Sequence, residues 1–357
     1  MAPPPEHIAG ENAADVASTS PRSPPLTAAE ASSILSQLTS STHANDLSRC
    51  RKSAARVRVL AAESNRNRRR FAESGAASVL AAAFRTFATS GSASLDFLSE
   101  ILSALVLVYP ADDGEVFSEI GSPESLHAIA SILRSGNSTA KLDAVLVLKQ
   151  IVWFDGDLAR AAALIDGLIE ILLKLILDPI SPRGKKAAQL TAFHLAACSE
   201  ESMAARFVRM GVFSLVIESL VDSQSEKRVS EAALSALDRL CGCELGREKA
   251  YGNALTVPVL VKKIFGFSDM ATELAVSSLL KLCKNWEGRE KEEGREGGCV
   301  VEALQVGVFV KLLMLLQVEG REKVKERATE LLRFLNDYGK DLGCVDSRDF
   351  RGLRRPV

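Results

Sequence analysis

The chain has 357 residues, 47% of them hydrophobic but only 5% aromatic, with a formal net charge of −1. That apolar share allows a large core, and the shortage of aromatics means it is built from Leu, Ala, Val and Ile, which suits stacked helices better than a β-sandwich. A near-neutral balance excludes a global field that would pull the protein onto nucleic acid or lipid.

Residues 1–26 are rich in Pro, Ala and Ser, with neither a basic start nor an apolar run, so a disordered terminus without a signal peptide is expected. "TAAEASSILSQLTS" (27–40) and "CRKSAARVRVLAAES" (50–64) predict N-terminal capping helices over 27–64. The basic cluster of "RCRKSAARVRVL" (49–60) and "NRNRRR" (65–70) reads as a solvated capping surface; the other readings are an acidic partner or a nuclear address. No aromatics interleave it, so nucleic-acid stacking is not expected.

From residue 65 the chain repeats itself. "RMGVFSLVIESL" (209–220) returns as "QVGVFVKLLMLL" (305–316), and fainter copies begin at Gly75, Gly121, Asp166 and Leu255. Taken in order with Gly211 and Gly307, these anchors lie 46, 45, 45, 44 and 52 residues apart. A period of ~40–47 residues is that of armadillo or HEAT arrays, in which no unit buries its apolar faces alone. Each anchor glycine is expected to supply a positive φ between two helices, while Asp166 and Leu255 depart from it. Ser122-Pro123 and Ser181-Pro182 each read as an N-cap followed by Pro at the first helical position. After each anchor helix comes a longer amphipathic stretch, such as "EAALSALDRLCG" (231–242), "DMATELAVSSLLKLC" (269–283) and "KERATELLRFLND" (325–337). A shorter helix such as "EESMAARFV" (200–208) then leads to the next anchor.

The expectation is therefore an all-α, right-handed α-solenoid of armadillo repeats. About six units span 65–338, with a loop insertion at 287–298 ("EGREKEEGREGG") and a polar C-terminal tail at 339–357. The longest apolar run, "LIDGLIEILLKLIL" (164–177), is too short and too charged to span a bilayer, so membrane insertion is not expected.

The phrases "AESNRNRRRFAESGA" (62–76) and "VRMGVFSLVIESLVDS" (208–223) resemble the armadillo repeats of the plant U-box E3 ubiquitin ligase family over most of residues 45–340. In that family an N-terminal U-box recruits a ubiquitin-loaded E2 and the armadillo array captures the substrate. The Cys-Pro-Ile, Tyr-Asp-Arg and Trp-Leu marks of a U-box are not found in this sequence. The expectation is a truncated gene model or fragment, or a paralogue that kept the binding half, with E2 reached only through a separate U-box. The resemblance thus implies substrate recognition for ubiquitination; the alternative is a stand-alone scaffold or regulator with no ubiquitin chemistry.

Armadillo arrays bind extended peptides along their third helices, and in nuclear-import adaptors those helices carry a ladder of asparagines. The matching positions here are Leu107, Gln150, His194, Arg239, Lys281 and Arg333, none of them Asn. Ser235, Ser277 and Thr329, four residues earlier, continue a polar ridge. The expected partner-binding groove is therefore Gln150, His194, Ser235, Arg239, Ser277, Lys281, Thr329 and Arg333. Its three cations, Arg239, Lys281 and Arg333, either favour an acidic or phosphorylated partner segment or form an ordinary solvated face.

Trp153 and Trp286 are expected to plug gaps between repeats. Seven cysteines without a disulfide or zinc spacing read as reduced thiols in the cytosol or nucleus. Cys241-x-Cys243 lacks two further ligands, and "SPRGKK" (181–186) lacks the glycines of a P-loop. No metal, cofactor or catalytic motif is expected.

Overall fold

A computed structural model of the chain describes residues 26–91, 93–109, 114–222, 224–266, 268–293, 298–318 and 321–342. Within them the backbone is helical, without a strand among the described residues. Two helices come first, α1 (Ala28–His43) and α2 (Leu47–Glu63). Six triplets follow. The first is α3 (Asn65–Glu73), α4 (Ala76–Ser90) and α5 (Leu95–Val108); the second is α6 (Gly114–Ile120), α7 (Pro123–Ser135) and α8 (Ser138–Phe154). The third is α9 (Gly156–Ala163), α10 (Leu168–Leu177) and α11 (Pro182–Cys198); the fourth is α12 (Glu201–Arg209), α13 (Val212–Val221) and α14 (Lys227–Leu240). The fifth is α15 (Glu244–Tyr251), α16 (Thr256–Lys263) and α17 (Asp269–Glu293); the sixth is α18 (Gly298–Gln305), α19 (Val308–Gln317) and α20 (Glu322–Leu342).

Side-chain caps start several of the helices. Thr27 and Glu30 form a reciprocal capping box on α1, with Glu30 N donating to Thr27 Oγ1 at 3.2 Å and Thr27 N donating to Glu30 Oε2 at 2.9 Å. Ser64, Ser94, Ser122, Asn137 and Ser181 each accept from the backbone N–H three residues on, so both Ser-Pro pairs start helices as expected. The turn between first and second helix is left-handed at Gly75, Gly211 and Gly307, with φ of 78°, 87° and 82°. The third triplet makes the same turn at Gly167 (φ 76°), one residue beyond the expected Asp166. Gly121 departs from expectation: its φ is not positive, and the Ser122 cap with Pro123 starts α7 instead. At Leu255, φ is −91°, and the Asn253 side chain closes the turn by accepting from Leu255 N at 3.0 Å.

One continuous core runs through the layers. Four residues before each turn stands Phe71, Phe117, Ala163, Phe207, Tyr251 or Ala303, and each packs into or against it. Full burial of one such Phe stabilises the fold by roughly 1.5–3 kcal/mol. Consecutive third helices stack directly, α5 on α8, α8 on α11, α11 on α14, α14 on α17 and α17 on α20. The α2 helix packs on α5 in the same way, so the row begins inside the segment expected only to cap.

Three expected boundaries move. Leu26, placed in the disordered terminus, is buried, and its N–H donates to Asn67 Oδ1 at 3.3 Å; residues 1–25 lie outside the described residues. The expected loop at 287–298 is helical over 287–293 as the end of α17, and Gly298 opens α18. The last helix reaches Leu342, inside the expected tail, whose remainder at 343–357 lies outside the described residues. No single described helix is long and apolar enough to cross a membrane.

Candidate functional site

The third helices form an unbroken row because their apolar faces are wide enough to touch the helices before and after them. In α11 the buried residues include Ala187, Ala188, Leu190, Ala192, Phe193, Leu195 and Ala196, which leaves a narrow polar strip. Ties one unit long cross that strip. Arg51 Nε donates to Glu100 Oε2 at 2.8 Å, and Ser103 Oγ to Asp143 Oδ2 at 2.5 Å. Lys186 pairs with Glu226, and Lys284 with Glu330. Such half-exposed pairs contribute about 0–1 kcal/mol each, so they set register more than stability.

The expected groove residues do lie on this row, with different roles. Gln150 hydrogen-bonds the Tyr109 hydroxyl, whose pKa burial raises and that bond lowers. The His194 ring stacks on Trp153 of the preceding unit, with centroids 4.9 Å apart and planes 28° apart. Burial holds the His194 pKa below the usual histidine range, opposed by a hydrogen bond to the Val152 backbone. Arg239 is exposed, with Nε donating to Ala197 O at 3.4 Å. Arg333 is exposed and Ser235 half-buried. Thr329 turns its hydroxyl back to Lys325 O at 2.8 Å.

Two residues part from the expected ridge. Ser277 is only 5% exposed, because α17 packs on both α14 and α20 and its buried face is wider than the sequence phase suggests. Lys281 is committed to the neighbouring unit: its Nζ lies 2.7 Å from Asp238 Oδ2 and donates to Asp238 O at 2.7 Å. The three-cation stripe is therefore not three free charges.

Trp286 is buried against Tyr251 and fills an inter-repeat gap as expected, but Trp153 does not: it is 49% exposed. Phe154 beside it is also 49% exposed, so the C-terminal end of α8 presents two aromatic surfaces at mid-row. The described cysteines are free thiols, and no group of three or more His, Cys, Asp or Glu among the described residues is placed to hold a metal.

The sequence reading missed a group of cations. Lys149 on α8 is half-buried and makes no hydrogen bond or salt bridge among the described residues. Burial pushes its pKa down, and the fields of Arg183, Lys186 and Arg228 push the same way. Arg183 on α11 and Arg228 on α14 are exposed and make no close salt bridge among the described residues, though the Arg183 charge acts on Asp143, lowering a pKa that burial raises. Their 45-residue separation equals the repeat period and could have flagged them.

Triplets stacked through their third helices, a left-handed glycine at most turns and a polar face along the row define an armadillo-type repeat module. An engineered protein of known crystal structure shares the fold, with a TM-score of 0.56 at 17% identity over 86% of this chain and 68% of that one. The profile of the "Plant U-box protein ARM repeat region" matches residues 30–354, and the chain belongs to that family. It is 34% identical to U-box domain-containing protein 21 of Arabidopsis thaliana over 335 residues, covering 93% of this chain and 74% of the relative. It is 28% identical to E3 ubiquitin-protein ligase PUB23 of the same plant over 332 residues, covering 90% and 74%.

Proposed function

We propose that this chain is the substrate-recognition part of a U-box-type E3 ubiquitin ligase, capturing a partner polypeptide along its row of third helices. The observation that carries the reading is the half-exposed Trp153 stacked across a unit boundary on His194. A large aromatic surface held rigid by a neighbour, with a polar strip around it, is the chemistry of a binding hot spot. Gln150 on the helix of Trp153 and Arg239 on α14, which packs on the helix of His194, supply polar contacts that can fix a peptide backbone. A captured segment is then held at high effective concentration near an E2 recruited by a U-box, and lysines within reach are modified. The free thiols suit the cytosol or nucleus, where ubiquitin transfer takes place.

Photo-crosslinking residues at Gln150 and Arg239, compared with Lys174 and Glu218 on second helices, test the reading. Discrete crosslinks are expected only from the third-helix pair, and the captured polypeptide should be ubiquitinated once the chain is joined to a relative's U-box and given an E2. Equal crosslinking from both pairs would overturn the binding face. A captured polypeptide that stays unmodified would overturn the ligase role and leave a scaffold.

A further inference from the structure

We propose that Cys198 is a site of reversible oxidation by hydrogen peroxide, with His194 as the base that takes the thiol proton. The chemistry stands apart from the partner-binding reading; its consequence for the row of third helices rests on that reading.

Five of the six described thiols are buried, whereas Cys198, the last residue of α11, is half-buried. Its sulfur lies 3.4 Å from Nε2 of His194, one helical turn earlier. Cys50 and Cys243 meet instead a threonine hydroxyl at 3.9 Å and a backbone carbonyl at 3.3 Å, neither of which can take a proton from sulfur at neutral pH.

The imidazole is placed for the role. Its hydrogen bond to the Val152 backbone acts to raise the ring pKa, so the ring is the donor there. With Nε2 against the sulfur, Nδ1 fits that bond, and Nε2 keeps a lone pair for the thiol. Stacking on Trp153 holds the ring plane. Both groups are neutral at rest, because burial raises the thiol pKa and lowers that of the imidazole. The proton therefore stays on sulfur until attack begins. The fields of Arg160 on α9 and Arg239 on α14 favour the negative sulfur that then forms. Arg239 is tied to the same helix end, with its Nε donating to Ala197 O at 3.4 Å.

Peroxide supplies every atom the step needs. Cys198 Sγ attacks one peroxide oxygen as its proton passes to His194 Nε2; an S–O bond forms and the O–O bond breaks. The departing hydroxide takes that proton from the imidazolium and leaves as water. Sulfur is oxidised to a sulfenic acid and peroxide is reduced. A dithiol reverses the change, leaving as a cyclic disulfide with a second water. Oxidation thus exchanges the S–H that faces His194 for a bulkier S–O–H, one side chain away from the Trp153 stack. That places a redox-responsive group on the partner face.

The test uses the full chain with Cys344→Ala, since Cys344 lies outside the described residues. Hydrogen peroxide is added with dimedone, which traps sulfenic acids, and peptide mass spectrometry follows each thiol. Dimedone should label Cys198 faster than any of the five buried cysteines by roughly tenfold or more. Dithiothreitol given after peroxide and before dimedone should abolish the label. His194→Gln and His194→Phe, one polar and one aromatic, both lack the base and should slow labelling of Cys198 by roughly tenfold or more. A melting curve shows which variants are folded, and either folded one decides the role of the ring. Cys198 labelled no faster than the buried thiols would overturn the site, and native labelling in a folded His194 variant would overturn the base. Labelling needs no partner, so its failure leaves the binding face standing.

Discussion

Lys281 and Asp238 bind each other twice across a unit boundary, side chain to side chain and ammonium to backbone carbonyl, both at 2.7 Å. Ser278 Oγ adds a contact to Asp238 Oδ1 at 3.4 Å. This cluster is a structural clamp between α14 and α17. Lys281→Met is expected to destabilise the fold by about 1–2 kcal/mol through the lost bonds and the half-buried carboxylate left behind. Urea unfolding measures it. Partner binding by the folded variant should be unchanged, and a binding loss without a stability loss would return Lys281 to the recognition face.

Gly211 carries a φ of 87°, and an added Cβ would meet nothing within 4 Å. Gly211→Ala therefore isolates backbone strain from crowding. The left-handed region costs a non-glycine residue roughly 1–2 kcal/mol, and a melting curve should show a loss of that size. Gly121→Ala should also destabilise, but by packing: its Cβ would lie 2.7 Å from Leu158 Cδ1 and 2.8 Å from Phe117 O. Unchanged stability in Gly211→Ala would argue against the left-handed turn.

His194 is held neutral by burial, so its folded pKa lies below that of the unfolded chain, ~6.5. Below that value the unfolded state binds the proton more readily, and the fold loses stability as pH falls towards the lowered folded pKa. Asp143 and Glu302 act in the opposite direction, because burial raises their pKa. The wild-type protein compared with His194→Gln isolates the histidine. Melting temperatures from pH 7.5 to 5 should fall more steeply in the wild type, and parallel curves would count against a buried neutral ring.

Trp153→Ala should separate folding from recognition. The side chain is half in solvent, and an aromatic stack contributes about 0.5–1.5 kcal/mol beyond its buried area, so stability should drop only modestly. Hot-spot truncation costs 2 kcal/mol or more, roughly thirtyfold in affinity. Titration of the crosslink-identified partner should show that loss. A partner that binds Trp153→Ala with native affinity would move the hot spot elsewhere on the row.

The solenoid is legible in the sequence because each layer repeats both a turn residue and an apolar phase, and because serines cap helix starts where the pattern begins. Gly121 was misread because the sequence shows a glycine at the right place without showing that Ser122 and Pro123 already start the helix. "EGREKEE" looked like a loop because it has no apolar face, yet Glu, Arg and Lys are good helix formers and extend an existing helix without one. In the candidate site, one phase on the third helices sets Gln150, His194 and Arg239 along the row, where the structure also has them. That phase does not contain Lys149, Arg183 or Arg228: the two arginines share a level at the starts of α11 and α14, Lys149 stands nearer the end of α8, and only the stacking of units brings their charges into range. Nor could it tell a solvated lysine from Lys281, whose partner stands 43 residues away.

The bond from Leu26 N to Asn67 Oδ1, backed by Asn67 Nδ2 donating to Leu60 O at 2.9 Å, rivets the start of the described chain to the first layer. The chain therefore enters the array at one fixed point beside α3, held by a single buried amide side chain. Asn67→Ala should free that point, read as faster amide exchange at Leu26 and Thr27 and a lower melting temperature, and unchanged exchange there would show that α1 packing alone sets the entry.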